Sequence, residues 1–142
     1  GYTYSGHPVA SAVALETLKI YEEIDIVAKV QATSKTFMRE LRSFEDHPLV
    51  GETRGVGLVG AIELVTDKAA KTPVDAKGPA PDYLYARAMD AGLIIRPIGN
   101  AVAFCPPLII SPSDVEEMFA KFRVALDQTM DFMIRDGHYK AA

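Results

Sequence analysis

The sequence has no tryptophan and a single cysteine, Cys105. One thiol excludes a disulfide framework within the chain and a cysteine-rich metal site, and it fits a reducing, cytoplasmic setting. There is no basic excess either. Fifteen Lys and Arg face nineteen Asp and Glu, for a net charge of −4, so the footprint of a nucleic-acid or anionic-membrane binder is missing. The apolar runs are short and broken by Gly or Pro, and none is long enough to span a bilayer. The opening Gly1-Tyr2-Thr3-Tyr4 has neither the basic region nor the apolar stretch of a signal peptide. It also lacks methionine, and such a start is expected of a chain cut from something longer. No internal repeat is visible, and Gly 10 and Pro 9 exclude low-complexity and collagen-like classes.

What remains is ordinary globular material. Hydrophobic residues are 49% and charged residues 24% of 142 residues, enough for one domain that buries about two-thirds of its unfolded surface. Residues 1–7 read as a loop, and Pro8 suits the first position of a helix. Apolar recurrence from Val9 to Ile24 predicts a helix over 8–24. Val27, Val30, Ser34, Phe37, Leu41 and Phe44 predict a second over 26–44, ended by His47-Pro48. Alternation over Gly55–Val65 predicts one strand, with Val56, Leu58, Ile62 and Leu64 on one face. Residues 66–82 read as a mobile surface loop.

A third helix is expected over 80–91, closed by Gly92. Leu93-Ile94-Ile95-Arg96 then reads as a strand, Gly99-Asn100 as a hairpin turn, and Ala101–Cys105 as the returning strand. Ser111-Pro112-Ser113-Asp114 carries a cap, a first-position proline and a first-turn acid. It opens a long amphipathic helix through Val115, Met118, Phe119, Phe122, Leu126, Met130 and Met133, and the tail from Asp136 is expected to be loose. The sum is an α+β fold: a small, mainly antiparallel sheet of about three strands packed against helices.

Two patterns carry candidate chemistry. Arg96, at a strand end beside a hairpin, has the forked guanidinium that clamps a carboxylate. An ordinary surface arginine satisfies the same pattern. The hydroxyl-rich loop Gly1–Pro8 before a helix N-terminus resembles an anion site, and a plain capping turn satisfies that pattern too. Gly55, Gly57 and Gly60 spell G-x-G-x-x-G, but inside a strand, without the strand-to-helix context of dinucleotide binding. His7, His47 and His138 form no metal-binding spacing, so no metal ligand is assigned. Cys105 reads as a small buried strand residue.

Longer motifs narrow the choice. Gly1-Tyr2-Thr3-Tyr4-Ser5-Gly6-His7-Pro8-Val9-Ala10 resembles the segment that follows the cofactor lysine in class III aminotransferases, fold-type-I enzymes that depend on pyridoxal phosphate (PLP). Arg54-Gly55-Val56-Gly57-Leu58 is similar to the R-G-x-G-L strand of that family. Gly92–Asn100 and Phe104–Ile110 resemble its last third, nearest the omega-amino acid or amine:pyruvate branch. The likeness runs over nearly the whole chain in unchanged order.

The resemblance implies specific roles. Thr3 corresponds to the threonine whose hydroxyl and N–H bind the PLP phosphate of the neighbouring subunit, with Tyr2 bordering that site. Arg96 corresponds to the mobile arginine that pairs with a substrate carboxylate and swings aside for an uncharged amine. The Schiff-base lysine and the acid that holds the pyridine nitrogen would lie upstream, so no residue here is assigned a catalytic role. The expectation is a C-terminal portion, inactive and without PLP by itself, of an enzyme moving an amino group from an amine to a keto acid such as pyruvate. Residues 1–24 would come from the edge of the large domain and 25–142 would form the small C-terminal domain. The expected partners are the missing large domain and a second subunit. A non-catalytic anion-binding or interaction module on the same fold is the alternative.

Overall fold

A computed structural model describes residues 1–139. The chain opens with helix α1, Pro8–Glu23, and helix α2, Ile26–Arg42. Between them Asp25 takes a left-handed conformation, φ 47°, and its side chain accepts the Ala28 N–H at 3.3 Å. Asp tolerates that geometry because its short polar side chain bonds locally. Strands β1 (Val50–Val56), β2 (Val59–Asp67) and β3 (Thr72–Pro73) follow, then helix α3 (Pro79–Asp90), strands β4 (Arg96–Ile98) and β5 (Ala101–Phe104), and helix α4 (Pro112–Arg135).

The sheet has five strands, in the order β1-β2-β5-β4, with β3 also paired to β2. Every pairing is antiparallel. The α+β expectation holds, and the strand count rises for two reasons. The segment expected as one strand is a hairpin whose two-residue turn is Gly57-Leu58. Gly57 has φ +61° and open space around it, the first-position glycine that a tight hairpin turn demands. Val56 therefore does not share a buried face with Ile62; it is exposed. The segment expected as a mobile loop contains β3 and a buried Val74.

Local signals set the helix ends. His7 caps α1, and Ser111 and Asp114 form a reciprocal capping box at α4. Gly92, at φ +76°, closes α3. Its N–H goes to Met89 O, and the Leu93 N–H reaches back to Ala88 O at 2.8 Å, a Schellman stop. The tail expected to be loose is tied through Tyr139, because the His138 and Tyr139 N–H groups both donate to Met133 O.

One sheet face is covered. Ile62, Val102 and Phe104 on the strands meet Phe37 and Leu41 of α2 and Phe119 and Phe122 of α4, all buried. The rings interlock edge to face, with Phe37–Phe119 and Phe44–Phe122 centroids both 5.3 Å apart. The apolar stripe of α2 is turned by one residue at its start: Ile26 is buried and Val27 is 63% exposed. The other sheet face is open. Helix α1 buries none of its residues, and α2 is the one element it packs against substantially.

Candidate functional site: the open face of the sheet and the turn before the first helix

Paired residues in an antiparallel ladder point to the same side. The register pairs Arg54 with Ala61, Ala61 with Ala103, and Ala103 with Arg96. These four residues form one row across the open face. Three strand spacings put the two arginine backbones about 14 Å apart, with two methyl groups as the floor between them. Arg96 opens β4 rather than closing a strand, because Leu93–Ile95 precede the pairing. It is exposed, and among the described residues no carboxylate pairs with it.

Arg54 is held differently. Its Nη1 donates to Glu63 Oε2 at 2.9 Å and to Glu52 Oε1 at 3.3 Å. Glu52 and Glu63 are cross-strand partners, a like-charge pair that needs a cation between its members. Asn100 Nδ2 donates to Glu63 Oε1 at 2.9 Å. The Asn100 amide and then the Arg54 guanidinium hold the Glu63 carboxyl below its ordinary range. Arg54 is legible in the sequence as part of a motif. Glu63 and Asn100 are not, because they meet across 37 residues of chain.

The turn before α1 forms a second, separate place. Thr3 is exposed, and Tyr2 is 90% exposed. The Tyr2 N–H donates to Ser5 Oγ, the Ser5 N–H to Tyr2 O and the His7 N–H to Tyr4 O. Among the described residues, the N–H and hydroxyl of Thr3 and the N–H of Tyr4 have no partner. The helix end itself offers less than the sequence suggests. Pro8 has no N–H, and the Ala10 N–H goes to His7 Nδ1 at 3.5 Å. Among the described residues the free donors are Thr3, Tyr4 and Gly6 in the turn and the Val9 N–H at the helix end. No substantial contact joins α1 to β4, and among the described residues no hydrogen bond links the Thr3 turn to Arg96.

Other candidates fall into place. Gly55 and Gly60 face each other across the β1–β2 pair. A Cβ on Gly60 would lie 2.8 Å from Leu41 Cδ2, and one on Gly55 only 2.6 Å from Val59 O. These glycines admit close packing. Cys105 is exposed, not buried, because β5 ends at Phe104 and Pro106-Pro107 turn the chain outward. It lines a shallow concavity of about 330 Å³ with Ile94 and Met118. His47 bridges elements: Nδ1 accepts the Leu49 N–H at 3.1 Å, and Nε2 lies 3.2 Å from Asp127 Oδ1. An imidazolium cannot accept at Nδ1, so the neutral ring fits this site, and burial outweighs Asp127 in pulling its pKa down. Among the described residues no group of His, Cys, Asp and Glu could hold a metal ion, and no helix is long and apolar enough to cross a membrane. The described lysines are exposed except Lys121, which pairs with Glu117 at 2.6 Å. Lys140 lies outside the described residues.

The arrangement is a helix-backed antiparallel sheet with paired and unpaired guanidinium groups on its open face. Comparison with known proteins carries it further. The family model for aminotransferase class-III matches residues 1–126. Putrescine–pyruvate aminotransferase of Pseudomonas aeruginosa is 43% identical over 130 residues, which are 91% of this chain and 28% of that protein. Gamma aminobutyrate transaminase 3, chloroplastic, of Solanum lycopersicum is 40% identical, over 91% of this chain and 25% of its own length. The omega transaminase of Pseudomonas jessenii, solved in complex with PMP, superposes with a TM-score of 0.86 at 48% identity, covering 93% of this chain and 29% of that one. The chain belongs to the class-III aminotransferase family. It spans between a quarter and a third of the length of these relatives.

Proposed function

We propose that this chain supplies the small-domain side of the active site of a PLP-dependent transaminase, which moves an amino group from an amine or omega-amino acid to a keto acid such as pyruvate. The observation that carries the reading is the Arg96 guanidinium, which has no ion-pair partner among the described residues, in a row whose other arginine, Arg54, is engaged by Glu52 and Glu63. A carboxylate arriving there meets a forked donor with no competing carboxylate among the described residues. An uncharged amine leaves that donor in water at little cost. This suits an acceptor like pyruvate together with donors that carry no carboxylate, and the relatives named for putrescine and gamma-aminobutyrate span both kinds of donor.

PLP, when bound, is the electron sink that makes the donor Cα–H acidic. The residues present fit its phosphate end. The free N–H and hydroxyl of Thr3 are the donors that an anion needs, with Tyr2 at the border. In this reading Thr3 serves the site of a neighbouring subunit. The covalent lysine comes from the rest of the enzyme, and the isolated chain is inactive. Residues 1–24 belong to the large-domain edge and 25–142 to the small domain. The naked apolar residues of α1 support that division, since they need cover from another surface.

The test is the Arg96→Ala variant of the full enzyme, followed in each half-reaction separately. Losing a charge-assisted pair should weaken the keto acid half-reaction about 10- to 100-fold. The half-reaction with an uncharged amine should move less than about threefold. Equal losses in both would refute the assignment of Arg96. For the isolated chain, borohydride treatment with PLP should trap no adduct at a specific lysine, and a stoichiometric adduct would refute its inactivity.

A further inference from the structure

We infer that Glu63, acting through Asn100, is a positioning residue for Arg96; the inference rests on the carboxylate-binding role proposed for that arginine. Strand β4 is three residues long and lies at the sheet edge. Its middle residue, Pro97, pairs with Val102 and turns its missing N–H to the open edge, where no further strand can add. Such a strand is weakly held by pairing alone. Two things hold it besides: its packing against α3 next to the buried Ile95, and the turn into β5, Gly99-Asn100.

That turn is clasped at two points by consecutive residues of β2. The Leu64 N–H donates to Asn100 O at 2.7 Å, and Asn100 Nδ2 donates to Glu63 Oε1 at 2.9 Å. The other oxygen of Glu63 is pinned by Arg54 from β1. A relay of three polar side chains therefore runs from β1 to the β4–β5 turn, four residues beyond Arg96. Glu63 and Arg96 lie on the same side of the sheet, in adjacent rows, because Glu63 pairs with Ala101 and Arg96 with Ala103. Only alanine methyls stand between them on β5. Freeing the turn lets the edge strand shift, and the backbone from which the guanidinium reaches a carboxylate loses its fixed place.

The experiment uses the full enzyme with three variants: Glu63→Gln, Asn100→Ala and the reference Arg96→Ala. The Glu63→Gln change keeps the side-chain shape, but an amide cannot accept from Arg54 and Asn100 together without turning a donor toward a donor. The expected result is a keto acid KM raised about five- to tenfold in Glu63→Gln and in Asn100→Ala. The kcat and the uncharged-amine half-reaction should change less than about twofold. Combining Glu63→Gln with Arg96→Ala should cost no more than Arg96→Ala alone, because the relay acts through that arginine. Amide exchange at Leu64 should speed up in Asn100→Ala, reporting the loosened turn directly. Equal slowing of both half-reactions, or losses that add to those of Arg96→Ala, would overturn the inference and leave the role of Arg96 intact. An Arg96→Ala enzyme with no preference against carboxylates would overturn both.

Discussion

The glycine pair beneath the open face sets a sharp packing test. Gly60 faces α2, and a methyl group there would meet Leu41 Cδ2 at 2.8 Å and Phe37 Cε1 at 2.9 Å. Ordinary carbon–carbon contact lies near 3.5–4.0 Å, so the overlap is about 0.7 Å. Neither neighbour has room to retreat. Phe37 and Leu41 are fully buried, and Phe37 is wedged against Phe119. Overpacking of this kind costs about 1–3 kcal/mol. The lower chain entropy of alanine in the unfolded state returns about 0.4–1 kcal/mol. The net loss for Gly60→Ala is about 1–2 kcal/mol, which lowers Tm by about 3–8 °C at this chain length. Thermal melts followed by circular dichroism at neutral pH read it out. Gly57→Asn is the internal contrast, because Gly57 has positive φ but open space, and Asn accepts that conformation. A Gly60→Ala chain as stable as the parent, or less damaged than Gly57→Asn, would refute the close-approach account of the glycine run.

Two further outcomes are expected. His47 is neutral in the fold, its pKa lowered first by burial, so the unfolded chain takes up its proton at higher pH than the folded one. The stability this residue contributes is full above about pH 6.5 and declines as pH falls toward the folded pKa; His47→Asn should flatten urea-melt stability over that window, and an unchanged slope would refute the neutral-ring account. Helix α1 leaves Val9 67% and Val13 61% exposed. The isolated chain should therefore self-associate at about 100 µM and the Val9→Lys/Val13→Lys double variant should not, as read by light scattering; a monomeric parent chain would refute this.

The parts of the fold legible in the sequence are those with a local chemical cause. Pro8, Gly92, the Ser111–Asp114 box and the Gly99-Asn100 turn each mark a missing donor, a positive φ or a cap. The hairpin inside residues 50–67 is hidden because Leu58 follows Gly57 at the turn. A buried leucine there extends the alternation, and nothing in the local pattern breaks it. Helix α1 is legible as a helix, but its exposure is not, since apolar spacing shows that a face wants cover and not what covers it. Arg96 is legible as an isolated cation by type and place. Its freedom, the engagement of Arg54 and the Glu63–Asn100 bond depend on strand register, which side-chain alternation within one strand cannot supply.

The contrast between Arg54 and Arg96 shows why register matters for chemistry. Both are exposed, both lie in one row, and each stands beside an alanine on the next strand. Residue type and burial do not separate them. The neighbours one row away do. Beside Arg54 that row holds Glu52 and Glu63, and two carboxylates facing each other cannot do without its charge. Beside Arg96 it holds Ala101 and Ile98, which ask nothing of a guanidinium. An incoming carboxylate would have to break two ion pairs to recruit Arg54, leaving Glu52 and Glu63 in mutual repulsion, whereas at Arg96 it displaces water. The same two acids that disqualify Arg54 as a ligand-binding group allow it to brace Glu63, and through Asn100 the strand that carries the free arginine. One row of the sheet thus separates an engaged cation from one with no ion-pair partner among the described residues, and the separation is made by the alanines as much as by the acids.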